Sequence, residues 1–339
     1  MTSKNGLGLF NSHREAGMHS DRCGMNEASR REFLRRLSLG VAGTALAAAT
    51  MSRGREASAA GSDSAGPLLP TIRLGEHQVT RLVVGANPIG GYSYLGSAMD
   101  REMREYFTRK RVLELLSNCE RAGINTHQFH DPGQMTGIIR TLRERGSKLK
   151  FICLHSGGGV EQVVRDTGPI AVVHHGGVTD SLFRQGKSQQ VHDFVKRVRD
   201  AGVLAGVSAH NPDCIKRIAD EGWPVDFFMT CFHNLTRSQE ELAKMPAADA
   251  LPKGHGFFAS DPMAMTEVAR QVKQPCLGFK ILAAGRKCDN EQAVQAAFKF
   301  AFERLKPIDG AIVGMYPRYR DQVSENAALA RQIGSKKDT

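Results

Sequence analysis

Eight short apolar runs, at 81–86, 124–129, 150–155, 170–174, 203–208, 225–231, 276–282 and 310–313, alternate with longer amphipathic stretches. Each run has the length of a strand, and most are bounded by Gly, Pro or Asn. The runs are nearly continuously apolar, as parallel strands covered on both faces must be. The stretches between them have helical spacing: Val191, Phe194, Val195 and Val198 follow i, i+3, i+4, i+7, and Ala293, Ala296, Ala297, Phe300 and Ala301 do the same. Residues 111–121 form a further helix, with Val112, Leu115 and Leu116 on one face and a stop at Gly123. Eight such strand–helix units predict an α/β fold of the (β/α)8 TIM-barrel type, as a single domain over 71–333. A doubly wound sheet is the alternative, but 85–91 lacks the G-x-G-x-x-G spacing and Pro88 interrupts the helix start that such a fold needs.

The first 59 residues stand apart. Arg30-Arg31-Glu32-Phe33-Leu34 precedes an apolar run over 37–50 and a small-x-small site at Ala57-Ser58-Ala59. This pattern resembles a twin-arginine export signal, which implies engagement of the twin-arginine translocase, export of an already folded chain, cleavage, and a periplasmic or other extracytoplasmic location. The run is shorter than the roughly 20 residues a spanning helix requires, so the mature chain is expected to have no stable membrane span. Residues 60–70, rich in Gly, Ser and Pro, read as a linker.

Of the formal net charge of +11, the +7 beyond residue 59 is dispersed, with no basic block interleaved with aromatics, which argues against a nucleic-acid partner. Beyond residue 59 the cysteines are Cys119, Cys153, Cys214, Cys231, Cys276 and Cys288. They form no C-x-x-C pair and sit mostly inside apolar runs, as small buried hydrophobes do.

In a barrel of this kind the reacting groups lie at the carboxyl ends of the strands. Eight of the twelve histidines fall there or in a nearby loop: His127, His130, His155, His174, His175, His210, His233 and His255. Alternation of side chains along a strand means that His174 and His175 oppose each other, as do His127 and Gln128. Clustered neutral imidazoles suit two chemistries. They can act as general acids and bases near neutral pH, with His155, His174, His175, His130 and Gln128 as the candidate catalytic set. Alternatively, His127, His130, His155, His175 and His233 would hold zinc or another transition metal. The segment 238–252 reads either as a surface loop or as a cover for the mouth.

The order of pieces resembles the aldo-keto reductase superfamily over most of 71–332. Ile72-Arg73-Leu74-Gly75 followed by 79–85 is similar to its opening hairpin and first strand, and Ala122-Gly123-Ile124-Asn125 to the approach to its second. Gly206-Val207-Ser208-Ala209-His210-Asn211-Pro212 and Gly278-Phe279-Lys280-Ile281-Leu282 are similar to its fifth and seventh strand ends. Ala311-Ile312-Val313-Gly314-Met315 with 324–330 is similar to its closing segment. The resemblance implies NADP(H), with Ser208 and Thr230 near the nicotinamide and Lys280, Glu325 and Asn326 near the phosphates and adenine. The family's catalytic positions are not kept. Gln128 stands for the aspartate, His155 for the lysine, and Gly133 lies near the place of the tyrosine; only His174 or His175 matches. Tyr92 and Tyr94 are the phenols placed to reach the mouth from the first strand.

The reading is an exported, aldo-keto-reductase-like barrel enzyme acting on a small polar substrate, sugar-like or carbonyl, with a rebuilt histidine acid–base set. The alternatives are a metal-dependent or histidine-based lyase, isomerase or hydrolase on the same barrel, or a binding protein without catalysis.

Overall fold

A computed structural model describes residues 67–130, 132–254 and 256–334. The export-signal reading, most of the linker, Asp131 and His255 lie outside the described residues. Among the described residues, no helix is long and apolar enough to cross a membrane.

The chain opens with an antiparallel hairpin, β1 (Thr71–Leu74) and β2 (His77–Thr80). Eight parallel strands follow: β3 (Leu82–Gly85), β4 (Thr126–Phe129), β5 (Lys150–His155), β6 (Ala171–His174), β7 (Leu204–Ala209), β8 (Phe227–Cys231), β9 (Cys276–Phe279) and β10 (Gly310–Gly314). They close in sequence order, with β10 paired to β3, into the expected (β/α)8 barrel. The helices are α1 (Ser97–Tyr106), α2 (Arg109–Arg121), α3 (Pro132–Glu144), α4 (Val160–Thr167), α5 (Gly176–Arg184), α6 (Gln189–Asp200), α7 (Pro212–Asp220), α8 (Gln239–Ala243), α9 (Asp261–Gln271), α10 (Glu291–Arg304) and α11 (Gln322–Gly334).

Local chemistry sets several helix starts. The Thr108 hydroxyl accepts from Arg111 N, and the Asn290 side chain accepts from Ala293 N. Asn211 caps α7, with Pro212 supplying a pre-set φ in the first turn. Gly123, at φ +90°, follows α2 where a Cβ would stand 2.2 Å from Pro67 O, so only glycine fits.

Two apolar layers result from strand alternation. Val83, Ile152, Val173, Phe227, Met229, Leu277 and Ile312 fill the barrel. Val84, Phe129, Phe151, Val172, Val207 and Phe228 face outward and pack under the helices. Gly206 makes room inside: a Cβ there would meet Val173 at 2.8 Å and Phe227 at 2.9 Å. Ile72, Leu74 and Val79 of the hairpin join the inner layer and close the amino-terminal end. Asn125 rivets this floor, accepting from Thr80 N (2.9 Å) and donating to Gln78 O (3.0 Å). Residues 67–70, read from composition as the end of the linker, take part in it too. Leu69 is buried and donates from its N–H to Gly123 O (3.0 Å), while Pro70 O accepts from Arg81 N (2.7 Å). Composition alone could not show those bonds, because they are made to residues far along the chain.

Candidate functional site

Parity along each strand sorts the histidines. On β6 the inner positions are Ala171 and Val173, so His175 faces the mouth and His174 faces the helices. His174 is buried with its ring 4.8 Å from that of Phe194 on α6, and its Nδ1 is 2.7 Å from Thr179 Oγ1. His155 pairs with His174 across the ladder on the same outer face; its Nε2 is bonded to Gly158 O at 3.0 Å. His127 is also outward, buried against Phe129 and Phe151 with Nδ1 donating to Val84 O (3.0 Å). Burial pushes the pKa of His127 and of His174 down to about 4, so both are neutral at pH 7.

His130, His175 and His210 share the mouth with Lys280. His175 is exposed there; burial of part of its ring is the first cause that lowers its pKa, followed by the nearby His210, Lys280 and His130. Gln128 lies on the same face as His130, buried, with its amide donating to Phe129 O (3.0 Å). Tyr92 sets its ring edge-on to His130 at 5.1 Å, and the Lys280 ammonium lies 4.9 Å from the centre of the Tyr94 ring and 4.7 Å from that of Phe279. The two phenols singled out from the sequence thus line the rim. Ser208 also faces inward; a Cβ on Gly176 would approach its Oγ to 2.9 Å and the His210 ring to 3.2 Å.

His210 has the most developed partner set. Its Nδ1 is 2.9 Å from Asp180 Oδ2, and Asp180 also accepts from the backbone N–H of His210 (3.0 Å) and of Asn211 (3.2 Å). Asp180 is almost fully buried on α5. A carboxylate at Nδ1 holds the proton on that nitrogen and leaves Nε2, on the opposite side of the ring, as the basic atom. Burial is the main cause that lowers the His210 pKa, with Lys280 adding to it, while the Asp180 hydrogen bond opposes them. A neutral imidazole of fixed tautomer can accept a proton, and a lysine ammonium beside it can stabilise a developing negative charge. Sequence reading placed His210 at a strand end but did not assign it to the site, and it missed Asp180 altogether. The available signal was the i, i+3, i+4 spacing of Gly176, Thr179 and Asp180, which puts an acid on the buried stripe of a helix.

The metal set read from the sequence is corrected by this geometry. His127 and His155 face the helices, His130 and His175 face the mouth, and His233 is buried with its ring 4.9 Å from that of Phe257. Burial drives the His233 pKa down to about 3. Among the described residues no group of three or more His, Cys, Asp or Glu is gathered to hold a metal ion. The alternation of strands separates residues that look adjacent along the chain.

The dinucleotide set also divides. Ser208 and Lys280 face the mouth. Thr230 is buried on the outward face of β8 with its hydroxyl unpaired. Asn326 is buried on α11, and the Glu325 carboxylate is bound by Arg320 at 3.0 Å. Of the five, Thr230 departs from the expected placement, because the barrel turns it towards the helices.

The segment 238–252 is largely exposed, and its end is tied down. Arg286, buried, donates to the carbonyls of Pro252 (2.9 Å), Lys253 (3.0 Å), Gly254 (3.0 Å), Tyr94 (3.1 Å) and Ala283 (3.2 Å). Its guanidinium stacks 3.9 Å over the Phe257 ring. The end of the 238–252 segment is thereby tied to the loops after β3 and β9.

No family model matches the chain, and no curated protein matches it. Among solved structures, a glycerol dehydrogenase, AKR11B4, from Gluconobacter oxydans is 15% identical, covers 79% of this chain and 98% of its own, and has a TM-score of 0.42. Gox0644 in its apo form is 11% identical over 80% of this chain and 95% of its own, with a TM-score of 0.48. A dihydropteroate synthase from Xanthomonas albilineans is 12% identical over 77% of this chain and 96% of its own, at 0.42. Likenesses of this grade assign no residue a role; the barrel itself is established by the closed strand order.

Proposed function

We propose that the chain is a barrel enzyme that moves protons on a small polar carbonyl or sugar-like substrate by histidine acid–base chemistry. The observation that carries this reading is the Asp180–His210 pair, at 2.9 Å, opening onto the space shared with His175 and Lys280. His210 Nε2 is the base. His175 is the second proton-transfer group, on the neighbouring strand. Tyr92, against His130, and Tyr94, under Lys280, are the phenols beside these groups. The test is solvent exchange in D2O: small carbonyl and sugar compounds are followed by NMR for loss of the C–H next to the carbonyl, with and without NADPH. Exchange without NADPH, reduced by roughly 10²-fold or more in His210→Ala and by a smaller factor in Asp180→Asn, supports the reading. Turnover that requires NADPH and survives His210→Ala would sink it and favour the reductase chemistry that the family resemblance implies.

We further propose that residues 1–59 direct the folded chain to the twin-arginine translocase, so that the barrel works outside the cytoplasm. The paired arginines before the apolar run support this. Replacing Arg30 and Arg31 by lysine should trap an uncleaved chain in the cytoplasmic fraction; unchanged export would discard the proposal.

A further inference from the structure

We infer that the substrate of this site carries a carboxylate or phosphate group, and that Lys280 binds it. This rests on the acid–base reading for the location of the site and adds the substrate's charge class.

Lys280 is half-buried, and among the described residues its ammonium has neither a hydrogen bond nor an ion pair; its neighbours are the faces of Tyr94 and Phe279. An ammonium has three donors and loses hydration when apolar walls surround it, so a cation left in this state lacks a partner that the protein does not supply. Among the described residues, the acids near the mouth are already committed. Asp180 is held by His210 and by the N–H groups of His210 and Asn211. Asp261 is held by Arg237 and by Asn234 N. Arg286 spends its donors on backbone carbonyls. Among the described residues, Lys280 is therefore the cation beside His175 and His210 left to meet an anion, while Lys287, over the Phe300 ring, lies towards His233.

Its placement is built in. Lys280 has φ +59°, a left-handed backbone that a non-glycine residue adopts only when its surroundings impose it. Ala283 N donates to Lys280 O at 2.8 Å, Ala283 and Ala284 also have positive φ, and Arg286 ties the same turn to 252–254. The Phe279 ring, 4.7 Å from the ammonium, is itself 5.7 Å from the His210 ring, and the ammonium's charge acts on both His175 and His210. An oxyanion bound to it would hold the rest of the substrate against the two imidazoles. The two aromatic faces cover part of the ammonium, which reduces screening of the pair.

The experiment titrates the purified mature protein with inorganic phosphate, malonate, adenosine 2′,5′-bisphosphate and neutral glycerol at constant ionic strength, reading imidazole NMR shifts and the thermal midpoint. The expected result is saturable binding of phosphate or malonate, which of the two binds tighter identifying the group, with His175 and His210 resonances moving and glycerol inert. Lys280→Gln should weaken that binding about tenfold or more, and Lys280→Arg should restore most of it. Should Lys280→Gln fail to fold, Lys280→Met, which keeps the apolar stem between the rings, replaces it. Binding that ignores these substitutions, absence of binding by either small oxyanion, or binding of the bisphosphate alone would overturn the inference. Oxyanion binding by the unsubstituted protein with no proton exchange on any carbonyl compound would remove the acid–base reading and leave this one standing. Exchange on neutral carbonyl compounds without oxyanion binding would do the reverse.

Discussion

Thr230 shows how one side chain reports its strand's register. Its hydroxyl is buried and unpaired on the outward face of β8, where a methyl group would be better placed. Thr230→Val should raise stability by about 1 kcal/mol in urea unfolding, because an unsatisfied buried hydroxyl is costly and its removal leaves no partner stranded. The buried histidines make a second residue-level prediction. His127 and His174 are held near pKa 4 and His233 near 3, mainly by burial, below the ordinary value of about 6.5. The unfolded chain therefore binds more protons than the folded chain between those values. Their contribution is complete above pH about 6.5 and is lost as pH falls towards 4, by roughly 2–3 kcal/mol for each ring. Urea midpoints should fall steeply between pH 7 and 4.5, and His127→Gln should flatten the slope. At this scale the sequence was informative about residue type and poor about direction. His174 and His175 were seen to oppose each other, yet which one faced the mouth depended on where the strand began.

The elements carry the preorganisation. Arg286 joins three loops through five carbonyls while its own charge is stacked on Phe257. Arg286→Ala should cost about 2 kcal/mol or more and expose the 244–258 segment to proteolysis in the native state, read as faster nicking at unchanged far-ultraviolet circular dichroism. Gly206 permits Phe227 to fill the barrel, so Gly206→Ala should destabilise by about 1–3 kcal/mol, visible in the thermal midpoint. The existence of these strands was legible, since a continuous apolar run of strand length is a local signal. The Arg286 clasp was not, because its acceptors are backbone carbonyls, which every residue possesses.

On the scale of the molecule, closure of β10 onto β3 explains why the ends of the described chain meet. Arg81 donates to Asp309 O (2.9 Å) and Gly334 O (3.1 Å), and Leu69 N to Gly123 O, so the barrel's floor is bolted by residues from both ends. A chain beginning at residue 60 should therefore keep the full chain's thermal midpoint, whereas one beginning at 71, lacking Leu69 and Pro70, should melt several degrees lower. The contrast isolates what Leu69 and Pro70 contribute to the floor.

The count and order of strand–helix units, and the gathering of histidines at strand ends, followed from the sequence because periodicity and length are properties of neighbouring residues. What each histidine does was decided by the folded barrel. Alternation along a strand relates one side chain to the next but leaves open which face is inside. Only when eight strands close around a common interior does His175 turn to the mouth and His174 to the helices. The Asp180 carboxylate, from α5, meets the His210 ring, 30 residues away, only in that closed arrangement.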